Sequence, residues 1–397
     1  MSKTLAPFKI FKTALVAAAA LAVVQAARAD VVTDWNVKAN ELVVEAKLGT
    51  PPAMRVMAYV QTAVLDATDK LPPAASFDAA VAAANRAVLL KLVPAVQAQT
   101  ETAYQAALAA IADGPAKTAG IAAGERAAAA LLARRAADSA PAESYRPHTT
   151  PGAYVPTAPA AVPTWSQRMP WLLTAASQFR PAAPPALTSE TWARDYNETK
   201  DFGGRTSTRR SAEQTEAARF WDYSLPPVYH GVLRSVALQP GRTPGANARF
   251  LAAASQAMDD ALISVFDAKY HYNFWRPGTA IRNGDIDGND ATTRDASWAP
   301  LIDVPMHPEY PSGHSILAGA VAAVIKGEQN GAPLPVLSTS SPTAKGAVRR
   351  WTSLEGFVRE VSDARIHGGL HFRSATDAAE AMGKRIGELA VARHLAP

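Results

Sequence analysis

The chain has 397 residues, 48% hydrophobic and 19% charged, with a formal net charge of +5 and no cysteine. That length supports one large core or two smaller ones, and the missing cysteine excludes disulfides, thiolate catalysis and cysteine-ligated metals. Residues 1–29 hold Lys3, Lys9, Lys12 and Arg28 and no acid, so +1 remains once those four charges are subtracted. A near-neutral remainder offers no electrostatic footing for nucleic acid or an anionic membrane surface.

Residues 1–29 read as a cleaved signal peptide. Lys3, Lys9 and Lys12 form a basic start, Thr13 to Val24 is almost all Ala, Val and Leu, and Ala27-Arg28-Ala29 fits a small-x-small cleavage site before Asp30. The apolar run falls short of the roughly 20 residues a membrane span requires. The expectation is a secreted or periplasmic protein with no span after cleavage.

Two further regions are expected: 30–185, helical with a Pro/Ala-rich connection, and 186–397, a helical catalytic domain. Thr50-Pro51-Pro52 reads as a helix start with Thr50 as cap, and Val56, Val60, Val64 and Leu65 recur at helical spacing. Asp66, among apolar neighbours, is expected to be a satisfied structural acid. Phe77 to Leu92, Ala95 to Ala112 and Ala116 to Ala136 are Ala-rich and helical. From Ala137 to Pro185, Pro, Ala, Thr and Ser dominate, which predicts an extended connection pinned by Trp165, Trp171 and Phe179. Helical patterns resume over 189–200, 212–223, 228–237 and 247–269, and later over 316–325, 351–366 and from a capping box at Ser374 to about His394. No sustained alternation marks a hairpin, so the predicted fold class is all-α. Asn283 to Asp290 copies the front half of a calcium loop, but its twelfth position is Arg294 where a bidentate Glu belongs. An Asx-rich turn is expected there, and calcium is not.

Three islands between Lys269 and His371 carry the chemistry. They are Lys269-Tyr-His-Tyr-Asn-Phe-Trp-Arg276-Pro277, Tyr310-Pro311-Ser312-Gly313-His314-Ser315 and Arg365-Ile-His-Gly-Gly-Leu-His371. Taken singly, each has a plain structural reading: a solvated charge pair, a helix cap, a core histidine. Taken together they supply three cations, a helix start and two histidines. Arg forks, a Lys point charge and free N–H groups at a helix N-terminus suit a small tetrahedral oxyanion.

These islands resemble the signature of the superfamily that joins vanadium-dependent haloperoxidases with type 2 phosphatidic acid phosphatases and bacterial acid phosphatases. Lys269 with Arg276-Pro277 fits K-x6-R-P, Pro311 to His314 fits P-S-G-H, and Arg365 with His371 fits R-x5-H. Weaker likeness to the bacterial secreted branch lies in Met57 to Asp66, Pro184-Pro185 and Glu213 to Trp221. The third motif departs from the pattern: Ala364 stands where Ser is usual, and Ala375 stands where an Asp is usual four after the His. What orients His371 is thereby left open. Asp377, six on, lies about 240° round a continuous helix and cannot do it.

The resemblance implies a helical bundle of the haloperoxidase/acid phosphatase type. It implies vanadate as cofactor, with phosphate able to occupy the same site. Lys269, Arg276, Ser312, Gly313 and Arg365 would hold the oxyanion, His371 would ligate vanadium, and His314 would act as acid/base. The implied reaction is oxidation of a halide by hydrogen peroxide. His307, four before Pro311, resembles the position beside the halide site and suggests bromide. The alternative is a secreted acid phosphatase acting on a phosphate ester through a phosphohistidine at His371, and Ala375 suggests poor hydrolysis. A second alternative is a non-catalytic phosphate-binding protein, against which the histidine pair argues. No pattern fixes an oligomeric state.

Overall fold

A computed structural model describes residues 29–139, 141 and 144–396. All but the last residue of the expected signal peptide lies outside the described residues. The N-terminal region holds α1 (Val31–Glu45), α2 (Thr50–Asp69), α3 (Phe77–Leu92), α4 (Gln97–Ala109) and α5 (Pro115–Arg134). After the connection come α6 (Glu190–Gly203), α7 (Ala212–Phe220), α8 (Pro226–Ala237), α9 (Pro244–Tyr272), α10 (Pro277–Arg282) and α11 (Gly313–Gln329). An antiparallel hairpin follows, β1 (Leu337–Ser341) with β2 (Ala347–Trp351), then α12 (Leu354–His367) and α13 (Arg373–His394). The fold is helical, as the apolar periodicity requires.

Small side chains set the geometry of the bundle. A Cβ on Gly124 would lie 2.3 Å from the Ala80 carbonyl oxygen, so α5 meets α3 backbone to backbone. Gly383 and Gly387 do the same for α13 against Ile316 and Ala320 of α11. The 29-residue α9 is buried along most of its length and ends at Asn273, whose φ of +48° turns the chain out. The largest apolar cluster draws on α1, α2, α3, α8, α9, α11 and α13. A second, aromatic cluster joins Trp192, Tyr196, Phe274, Trp275, Trp298, Tyr310 and Phe372 below the third island.

Local details differ from the sequence reading. The cap of α2 is Gly49, while the Thr50 hydroxyl bonds Ser224 at 2.6 Å. Asp66 is exposed and paired with Arg134 at 2.7 Å, so it is satisfied without being buried. The helix drawn from Trp351 begins at Leu354, because Trp351 closes the hairpin whose turn places Lys345 and Gly346 at positive φ. Ser374 does not cap α13; the helix starts at Arg373, and the Ser374 N–H donates to Asp195 at 2.9 Å.

Trp165, Trp171 and Phe179 do pack the connection onto the body, and buried acids of α9 secure it. Asp260 accepts the backbone N–H groups of Trp171, Leu172 and Leu173 at 2.7–2.9 Å. Asp259 accepts the Trp171 indole N–H and Arg55, each at 2.7 Å. In the loop that resembles a calcium site, the Asp287 carboxylate is engaged by the Trp192 indole, the Thr292 hydroxyl and the Asn289 N–H.

Candidate oxyanion site

Element ends deliver the side chains. Lys269 lies in the last turn of α9, Arg276 caps α10, Ser312 caps α11, and Arg365 lies in the last turn of α12. His371 follows the turn at Gly369, whose φ is +75° and whose backbone touches Gly203 so closely that neither position has room for a side chain. The Thr199 hydroxyl donates to the His371 carbonyl at 3.1 Å, which holds the backbone there.

The three islands converge. Arg276 donates to the His371 Nε2 at 3.3 Å, to the Leu370 carbonyl at 2.9 Å, and to the carbonyl and Nδ1 of His307 at 2.9 Å each. Lys269 donates to the carbonyls of Pro308 and Glu309 at 2.9 Å. Arg365 donates to the Trp221 carbonyl. Lys269, Arg276, Ser312, Arg365 and His371 are buried, while Gly313 and His314 are partly exposed, His314 keeping its Nε2 buried. His307 packs edge-on against Phe266, with ring centroids 5.2 Å apart.

The acid that holds His371 is Glu309. Its Oε1 accepts the His371 Nδ1–H at 2.7 Å and the Phe372 N–H at 3.0 Å. Ala375 is buried in the aromatic cluster, and its carbonyl accepts the Ser312 N–H. A carboxylate from the second island thus does what an Asp at position 375 would do from the third. The only trace in the sequence is an acid two before Pro311, which no motif spacing marks. With Nδ1–H given to Glu309, the Nε2 lone pair is left toward Arg276 and the site.

Burial dominates the electrostatics. It pushes the Lys269 ammonium well below its usual range, with Arg276 adding and Glu309 opposing. Burial lowers Arg276 and Arg365 to about 10 and raises the Glu309 carboxyl to about 7, the latter opposed by Arg276 and Lys269. Burial and the cations hold His371, His314 and His307 well below the ordinary imidazole range, so the rings are neutral.

These residues fit a small oxyanion. Three buried basic side chains stand beside the buried Glu309 carboxyl, with Asp222 near Arg365, and an anion among them would favour their charged forms. The Arg365 Nε and His314 Nε2 are buried and have no hydrogen-bond partner among the described residues. The N–H groups of Gly313 and His314, in the first turn of α11, have no carbonyl acceptor among the described residues, whereas that of Ser312 is taken by Ala375.

Fold and site define a helical bundle with a buried cluster of basic side chains beside a neutral imidazole. Residues 249–396 match the family model described as the VCPO second helical-bundle domain, and this part of the chain carries that domain. Over 147 residues the chain is 31% identical to a vanadium chloroperoxidase of Curvularia inaequalis, a match spanning 32% of this chain and 24% of that protein. It thus spans about a quarter of that relative's length. The crystal structure of the first bacterial vanadium-dependent iodoperoxidase covers 91% of this chain and 96% of its own, with a TM-score of 0.75 and 24% identity. A holo-type bacterial vanadium-dependent chloroperoxidase covers 93% and 95%, with a TM-score of 0.68 and 17% identity. The structural likeness shows a shared fold, and the resemblance to the vanadium haloperoxidases holds at that level.

Proposed function

We propose that the protein is a vanadium-dependent haloperoxidase that oxidises halide with hydrogen peroxide. The carrying observation is the buried convergence of Lys269, Arg276 and Arg365 on His371, with donors at Arg365 and His314 left without partners. Lys269, Arg276, Arg365, Ser312 and the Gly313 N–H would hold vanadate, and His371 Nε2 would ligate it. Bound vanadate supplies a Lewis acid that activates peroxide toward a halide without changing oxidation state. Glu309 keeps the His371 proton on Nδ1, and Arg276 draws on the Nε2 lone pair from the cation side. His314, neutral and with its buried Nε2 unpartnered, can hold or release a proton there. His307 is held by Arg276 and Phe266, and bromide as the favoured halide rests on the resemblance at that position.

The basic start, apolar run and small-x-small pattern of residues 1–29 support secretion by a cleaved signal peptide. Asp30 caps α1 through a capping box with Thr33, so cleavage before Asp30 leaves the helix start whole.

The phosphatase reading also gains from the structure. His371 is oriented after all, by Glu309, so the absence of an acid at Ala375 no longer argues for poor hydrolysis. One experiment separates the two. Protein is incubated with orthovanadate and given hydrogen peroxide, a halogen acceptor, and bromide, chloride or iodide; metal-free protein receives a chromogenic phosphate ester. Halogenation that requires vanadate, is fastest with bromide and is lost in His314→Ala is the expected result. Ester hydrolysis without vanadate, inhibited when vanadate is added, points to the phosphatase.

A further inference from the structure

A chain of hydroxyls leads from Ser312 of the oxyanion site to Glu380 of α13. Ser312 Oγ lies 3.0 Å from Ser315 Oγ, and Ser315 Oγ lies 3.0 Å from Ser362 Oγ. Ser362 bonds Glu380 Oε1. All three serines are buried, whereas Glu380 is half-buried on α13 and lines a groove of about 1070 Å³ between α11, α12 and α13. The charged groups that line the groove with Glu380 are Lys326 of α11, Glu355 and Arg359 of α12, and Arg373, Asp377, Lys384 and Glu388 of α13; Glu198 of α6 and Asp363 of α12 pair with Arg373.

Each hydroxyl has one proton, so the chain has two orientations. An ionised Glu380 only accepts. Ser362 must then donate to it, Ser315 to Ser362, and Ser312 to Ser315. In that state Ser312 turns a lone pair toward the site and repels an oxyanion. A bound oxyanion needs the Ser312 proton. The chain then runs the other way, and Glu380 must itself donate to Ser362.

We infer that oxyanion binding at Ser312 is coupled to uptake of one proton from solvent by Glu380, through Ser315 and Ser362. Glu380 is suited to this, because burial raises its carboxyl above the usual range, with the Ser362 bond opposing. The bonds broken and formed balance: three hydroxyl protons each move their hydrogen bond one place toward the site, and one solvent proton arrives at Glu380. The inference rests on the oxyanion-site reading and not on peroxide or halide chemistry.

Calorimetric titration with inorganic phosphate and with orthovanadate, at pH 8 in two buffers of different ionisation enthalpy, counts the protons taken up. The anion's own protonation is common to all proteins compared and cancels. Wild type is expected to take up about one proton more than Glu380→Gln, which cannot titrate, or Ser362→Ala, which breaks the chain. Equal proton counts in all three overturn the coupling while leaving the site intact. No binding of either anion by wild type overturns the site and the coupling together. If Glu380→Gln fails to fold, Ser362→Ala, a one-atom deletion in the same chain, decides the question.

Discussion

Glu309 and His371 lie 62 positions apart in sequence, yet their bond sets the tautomer on which the site depends. Glu309→Ala removes the acceptor and leaves the ring free to exchange tautomers. Loss of such an outer partner typically weakens metal affinity 10–100-fold, and orthovanadate affinity is expected to fall by about that factor. In Glu309→Gln the Phe372 N–H should hold the amide oxygen where Oε1 now sits, so the ring proton should stay on Nδ1. Ring nitrogen shifts in 15N-labelled protein check this; a wild-type His371 protonated on Nε2 would contradict the arrangement. The cations and histidines were legible in the sequence because their types and spacings have no common alternative use when they occur together. Glu309 was not, because a carboxylate that reaches a histidine through the fold has no fixed spacing from it.

Helices carry these residues at their ends, so helix packing sets the shape of the site. Gly383 allows α13 to lie against Ile316, one turn from Ser312, and an added Cβ would sit 2.1 Å from the Ile316 carbonyl oxygen. Gly383→Ala therefore forces α11 and α13 apart. Overpacking costs about 1–3 kcal/mol, measurable by urea denaturation, and phosphate binding should weaken in the same variant. α8 contributes a different device. His230 is buried, with its Nδ1 2.7 Å from the Asn36 amide, and burial lowers it to about 3, helped by Arg234. Its folded pKa lies below the ordinary 6.5, so the unfolded chain binds the extra proton between those values. Stability from His230 is complete above pH 6.5 and is lost as pH falls toward 3, at up to about 1.4 kcal/mol per pH unit. His230→Gln should flatten the decline of the melting temperature over that range. Sequence periodicity located the helices well, because each buries one apolar stripe. It failed at their starts, where Gly49 and Phe372 stand at cap positions without a capping side chain, and at the hairpin, whose serines and arginines do not alternate in hydropathy.

At the scale of the whole molecule, the described part of the connection, 144–185, is bonded to the first island and to the loop before the second. Its Tyr154 N–H bonds the Asn273 carbonyl, its Gly152 carbonyl accepts from Trp275, and its Ala161 bonds Tyr270 and the Met306 carbonyl beside His307. The connection is thus one wall of the region where His307 lies. Asp260 anchors it through three backbone N–H groups, a charge-accepting arrangement that no neutral side chain reproduces in full. In Asp260→Ala all three N–H groups lose their acceptor, at a cost of roughly 1–3 kcal/mol for each that stays away from water. The fold has other anchors in Asp259 with Arg55 and Asp267 with Arg180, so the variant should remain folded with a loosened connection. Limited proteolysis should then cut first between 137 and 185, and halogenation should show a raised KM for bromide, with His314 and His371 undisturbed and vanadate affinity within a few-fold of wild type. Unchanged proteolysis and an unchanged KM would mean that the remaining anchors hold the wall by themselves and that Asp260 acts only on stability.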